Sequence, residues 1–279
     1  MEIVMPGKDE KKSIHPVAII KQAWSVGWKN IGKLSVIYLI FSLPVTVISL
    51  SPIIRFLPDQ KLSLTAVLWF LFLIIISSWR HIALLLGANQ AVSAQDYSVG
   101  QSINQAQAFL IKYLALMLSI ILFILGVIIV AGVSAAVVGA FLAQVNKMSA
   151  VLIGFILIIA VIASLVFFLL RWSLAALVCV FENARPRVAL NGSFSLVKEH
   201  INPVVGTYGL MGLICIACMT PVVLVGTLSG TGPNVNAPTQ VGTTIYITLI
   251  SIVLEPFWTI ITVILYKKLK EVSGAHVYA

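Results

Sequence analysis

Charged residues are scarce in this chain, acidic ones most of all. Only 10% of its 279 residues are charged, and Asp and Glu together number 9. A soluble protein keeps about a quarter of its residues charged, so a soluble fold is excluded. Cysteine is nearly absent. Cys179, Cys215 and Cys218 all lie in apolar segments, which leaves no pair for an extracytoplasmic disulfide framework. Glycine-rich phosphate loops, nucleophile elbows and HExxH helices are missing too. His15, His81, His200 and His276 are scattered and match no ligand spacing. Cys215-Ile-Ala-Cys218 has CxxC spacing, but it sits inside an apolar run with no His nearby, so small packing residues are the better account. No nucleophile, acid–base pair or metal set can be assembled, so the chain reads as a non-enzyme with no cofactor.

Apolar length is what the chain has. Hydrophobic residues make up 60% of it, blocked into runs longer than about 18, the mark of transmembrane helices. Six spans are predicted, near 34–54, 64–86, 114–142, 149–181, 204–229 and 241–266. No long soluble segment remains, so residues 1–279 read as a single all-α membrane domain. The first 33 residues hold six Lys and no early apolar core. A cleavable signal peptide is therefore not expected.

The net charge of +9 is unevenly placed. With six spans, one side collects Lys8, Lys11, Lys12, Lys21, Lys29, Lys33, Arg80, Lys112, Arg171, Arg185, Arg187, Lys198, Lys267, Lys268 and Lys270. The other has Arg55, Lys61 and Lys147. This asymmetry predicts an inner (cytoplasmic) cell membrane protein with both termini cytoplasmic. The basic face then meets anionic lipid headgroups rather than nucleic acid.

A threefold internal repeat is also predicted. Pro16–Lys33, Ser98–Tyr113 and Pro186–Asn202 are short amphipathic stretches, each followed by two apolar segments. Lys21-Gln22-Ala23-Trp24-Ser25-Val26 aligns without a gap over Asn191-Gly192-Ser193-Phe194-Ser195-Leu196, and Pro16 falls on Pro186. The units run about 16–90, 98–182 and 186–270, after a polar tail at 1–15. Pro16 and Pro186 suit the first turn of a helix, and Ser98 is a plausible N-cap. The expectation is three cytoplasmic interfacial helices, each introducing a transmembrane hairpin, with Trp24, Trp28 and Phe194 as interfacial anchors.

Arg80, Arg171 and Glu255 occupy similar depths in the second span of each repeat, beside Trp79, Trp172 and Trp258. Charges within a span are costly and face a protein interior or an aqueous cavity. One reading is a polar binding site whose arginines hold an anionic headgroup. Another is an Arg–Glu clasp that locks helices together, and a third is snorkelling of Arg80. Pro256 is expected to bend the last span and free a backbone carbonyl. Gly126, Gly132 and Gly139 with Ala131, Ala135 and Ala136 give the third span a small-residue face.

The run Arg171-Trp172-Ser173, Phe181-Glu182-Asn183 and Ala189-Leu190-Asn191-Gly192-Ser193-Phe194-Ser195-Leu196 resembles the membrane domain found ahead of some bacterial glycerophosphodiester phosphodiesterases. It also resembles their stand-alone six-span relatives in the bacterial inner membrane, most of them uncharacterised. The ending Glu255-Pro256-Phe257 to Leu265-Tyr266-Lys267-Lys268-Leu269 is similar to that family's close. The resemblance implies a membrane domain without the phosphodiesterase barrel, whose length and metal ligands this chain lacks.

The leading expectation is a protein that binds or handles lipid or another amphiphile, with Arg80, Arg171 and Glu255 in the polar layer and membrane lipids as partners. The alternatives are a structural or accessory subunit of a larger membrane complex, partnered by other membrane-protein subunits, and a small transporter.

Overall fold

The computed structural model describes residues 14–50, 64–145, 147–228 and 237–274. Residues 51–54 of the first predicted span and residue 229 of the fifth lie outside them, as do Lys8, Lys11, Lys12, Arg55, Lys61 and His276. Among the described residues 93% are helical and none is in a strand. The helices are α1 (Pro16–Leu50), α2 (Leu64–Val92), α3 (Val99–Val145), α4 (Lys147–Trp172), α5 (Ala175–Phe181), α6 (Pro186–Glu199), α7 (Ile201–Leu228) and α8 (Ala237–Ser273). Six segments are long and apolar enough to cross a membrane, with α4 and α5 counted together. The chain is a multi-pass membrane protein.

Pro16 and Pro186 open their helices, where the missing N–H has no intrahelical partner to lose. The Ser98 hydroxyl accepts from the Gln101 N–H at 3.2 Å and caps α3. Two of the three amphipathic stretches are not separate helices. Residues 16–33 continue without a break into the first span, and 99–113 into the third. Neither junction carries a glycine–proline stop, so the backbone ladder has no reason to end there. The third stretch does stand apart as α6, ended at His200. Span four is interrupted at Ser173-Leu174, splitting α4 from α5.

The chain forms two compact units, whose bounds do not follow those of the predicted repeats. The first, residues 1–110 and 200–279, packs α1 against α2, α7 and α8, with α2 and α7 also on α8. Its core includes Ile37, Leu84, Ile260 and Leu265, all essentially inaccessible. The second, residues 111–199, packs α6 onto α4 and α5, around Leu174, Leu177, Val178 and Val197.

Candidate functional site

In the first unit one face of α1 presents Ser35, Tyr38 and Ser42, spaced i, i+3 and i+7 so that they line up along the helix. Arg80 reaches this face from α2. Its Nη1 donates to Ser42 Oγ at 2.9 Å, and its guanidinium carbon stands 4.8 Å from the Tyr38 ring centroid. Nη2 meets Glu255 Oε1 of α8 at 3.2 Å, with side-chain exposures of 22% and 26%. Pro256, next along α8, has no N–H, so the Ile252 carbonyl loses its intrahelical donor. The Ser35 hydroxyl donates to that carbonyl at 3.1 Å. The predicted free carbonyl exists, and α1 satisfies it. Three helices are thereby tied at one level, the geometry of a clasp. Trp79 donates its Nε1–H to Ile103 O at 3.1 Å and packs on Phe41.

Arg171 belongs to the second unit and is surrounded differently. Its guanidinium carbon lies 4.5 Å from the Phe167 ring centroid and 4.3 Å from that of Phe194. Both distances are within cation–π range, so two aromatic rings contact the charge. Among the described residues no carboxylate lies within ion-pair distance of it; its buried Nε, like that of Arg80, has no hydrogen-bond partner. The helix break fixes its position. Opening the helix after Trp172 orphans the Arg171 carbonyl and the Leu174 N–H. The Ser193 hydroxyl, fully buried on α6, donates to Arg171 O at 2.7 Å and accepts from Leu174 N at 3.2 Å. One side chain thus satisfies both groups, and its neighbour Phe194 covers the guanidinium. Trp172 stacks edge-on with Phe123 at 4.7 Å. Beyond α5, Asn183 takes a positive φ of 53° and accepts from Lys112 Nζ at 2.5 Å.

The predicted anchors fall in both units. Phe194 covers Arg171. Trp24 and Trp28 are 56% and 54% exposed and meet each other and Phe257 with centroids 5.4, 5.2 and 5.9 Å apart. With Met211, Cys215 and Cys218 of α7 they line an apolar groove of about 300 Å³ between α1, α7 and α8. The cysteines are free thiols, and no group of His, Cys, Asp and Glu among the described residues could hold a metal.

Between α2 and α3, Lys33 donates to Asp96 Oδ1 at 2.9 Å and to the Tyr97 carbonyl at 3.0 Å. The hydrogen bond and charge from Lys33 hold the Asp96 carboxyl below its usual range. This contact contributes above the ordinary carboxylate pKa and is lost as pH falls through the lower folded value. Asp96 is fully exposed, so salt screens the contact. Tyr97 is the buried member. Its hydroxyl has no hydrogen-bond partner, and burial pushes its phenol up to about 12. Burial keeps the phenol neutral, so its contribution is complete below about 10, the unfolded value, and disappears as pH rises through the folded one. In an ultraviolet titration, one tyrosine should ionise near 12 and become ordinary after mild unfolding. Titration of every tyrosine near the ordinary value would contradict this placement.

The structure therefore joins Arg80 to Glu255, and Trp24 to Trp28, and sets Arg171 against Phe194. The sequence reading missed Ser42 and Tyr38, although their i, i+4 spacing on a span was a usable signal. It also missed Ser193 as a structural partner and the whole groove. No protein-family model, curated protein or solved structure matches the chain.

Proposed function

We propose that the protein is a non-enzymatic membrane protein that handles an anionic lipid or a similar amphiphile, with Arg171 receiving the headgroup. The observation that carries this reading is the contrast between two arginines in spans. Arg80 has a carboxylate, a hydroxyl and a ring. Arg171 has two aromatic rings and no acidic partner among the described residues. An uncompensated charge in an apolar span is costly and marks a ligand path by default. Ring contacts make no hydrogen bond, so they leave the guanidinium N–H groups for bidentate contact with phosphate or carboxylate. In this account Arg80 and Glu255 are a structural clasp, not part of the ligand site.

The same reading places the chain in the inner membrane with both termini cytoplasmic, because the basic residues crowd one side. Three repeats, each with an amphipathic lead, would then set Trp24, Trp28 and Phe194 near the headgroups. The motif-level resemblance of the Arg171–Leu196 run to the membrane domain of glycerophosphodiester phosphodiesterases offers analogy alone for a lipid setting.

The yield of photoreactive phosphatidylglycerol crosslinked beside Phe167 and Phe194 in mild detergent tests the proposal at the Arg171 site itself. Arg171→Gln should lose about tenfold in lipid retained there, the value of one charge-assisted contact. Arg171→Lys should keep part of it, since the charge remains but the planar fork is gone. Equal retention in all three proteins, with helicity unchanged, would overturn the assignment.

A structural subunit is the second reading, favoured by the outer faces of α3 and α4. Only 6% of the apolar window of α3 and none of that of α4 is buried, and Gly126, Gly132 and Gly139 face open space. This reading requires a partner of constant stoichiometry in gentle detergent, and it fails if the chain always purifies alone.

A further inference from the structure

We infer that the groove between α1, α7 and α8 is a second lipid site, which takes one acyl chain of an anionic phospholipid with its headgroup toward Lys21 and Lys268. This site is separate from the Arg171 reading and does not depend on it.

The groove is built into the packing. Trp24, Trp28 and Phe257 wall it on one side and Met211, Cys215 and Cys218 on the other, with no charged side chain in its lining. Phe257 lies directly over Gly27, where any Cβ would collide with the ring. The seat of the aromatic wall therefore requires glycine at that position.

The lining and the open side of the groove fit a hydrocarbon chain. A groove of about 300 Å³, uncharged along its walls and open to the apolar surroundings of the helices, accepts part of one acyl chain lying along it.

The ends of the groove select the lipid class. Helices α1 and α8 run antiparallel, since Gly27 meets Phe257 and Ser35 meets Ile252. Lys21 lies six residues before Gly27, and Lys268 eleven after Phe257. At 1.5 Å per residue both lie about 9 to 16 Å toward the same end. On α8, Leu254, Phe257, Ile261 and Lys268 share one helical face, and on α1 Lys21 is one turn from Trp24. Lys267 points elsewhere and donates to Ser93 Oγ at 2.7 Å. Among the described residues, Glu271 of α8 lies one turn beyond Lys268. A chain leaving the bilayer for the groove exchanges one apolar setting for another, so the headgroup decides the preference. Each lysine should favour an anionic over a zwitterionic lipid by about fivefold.

The test uses the full chain in bilayer nanodiscs with two photoreactive lipids, phosphatidylglycerol and phosphatidylcholine, each with a diazirine on one acyl chain. Crosslinks from phosphatidylglycerol should concentrate on residues 211–218 and 253–261, well above those on the lipid-facing surface of α4 around Phe155 and Ile162. Phosphatidylcholine should show a much smaller excess. Cys218→Phe, which fills the groove, should abolish the excess. The pair Lys21→Gln and Lys268→Gln should lower the phosphatidylglycerol yield to that of phosphatidylcholine. Arg171→Gln should leave groove labelling unchanged, so failure of one site is told apart from failure of the other. Equal labelling of groove and α4, or equal yields from the two lipids, overturns the inference on the unmodified chain. So does an excess that survives Cys218→Phe.

Discussion

Glu255→Leu should destabilise the protein by about 3 kcal/mol, and Arg80→Leu by a similar amount. Each removes one partner of a charge pair set among apolar helices and leaves the other uncompensated. Arg80 would keep Ser42 at 2.9 Å and the Tyr38 ring, which limits its loss to the lower end of the range for buried pairs. Arg80→Leu combined with Glu255→Leu should lose far less than the sum, because replacing both charges with apolar side chains abolishes the desolvation cost along with the attraction. Equilibrium unfolding in detergent, followed by tryptophan fluorescence, reads all four proteins. Additive losses would mean that the two charges do not couple, and the clasp would be wrong. The prediction also separates the two arginines. Glu255→Leu should leave lipid retention unchanged, since the pair takes no part in the headgroup contact.

Ser193→Ala should cost about 2 to 3 kcal/mol. The hydroxyl it removes is the partner of both the Arg171 carbonyl and the Leu174 N–H. Both groups sit at a helix interruption, where the ladder cannot take them back without re-forming a turn, and buried backbone groups left unpaired are expensive. Opening there should loosen α5, which carries the fully buried Cys179. Maleimide labelling of Cys179, in a background with Cys215 and Cys218 changed to alanine, should therefore accelerate in Ser193→Ala. An unchanged rate and unchanged stability would mean that the hydroxyl does not hold the break. Because Ser193 also places Phe194 over Arg171, the variant should lose part of the lipid retention that Arg171→Gln loses.

Much of the fold was legible because membrane spans are written in composition and length. Six apolar runs, the proline starts at 16 and 186 and the cap at Ser98 needed local information alone. The charges at 80, 171 and 255 were visible for the same reason, since an ionised group in an apolar run is conspicuous. Which charges meet was not legible, because contact depends on how helices pack. Glu255 is held by Arg80, whereas Arg171 is held by rings of α4 and α6. The break at Ser173-Leu174 carries no proline or glycine signal. It exists because a hydroxyl from a later helix satisfies the opened backbone, a tertiary effect that overrides local propensity. The opposite error occurred at Lys33-Leu34, where a change from amphipathic to apolar pattern suggested a new helix. A change of hydrophobic pattern does not by itself interrupt the hydrogen-bond ladder. The groove was invisible for a simpler reason: Gly27 and Phe257 lie near opposite ends of the chain.

The central claim is that Arg171 holds an anionic lipid headgroup, and the most direct test is the distance from its guanidinium to lipid phosphorus. Solid-state NMR dephasing between isotope-labelled arginine nitrogen and phospholipid phosphorus in bilayers measures it. The account predicts a dephasing component corresponding to a separation of about 4 Å, present in the unmodified protein and absent in Arg171→Gln. Identical dephasing in the two proteins would contradict it and leave Arg171 as a packing residue beside two phenylalanines.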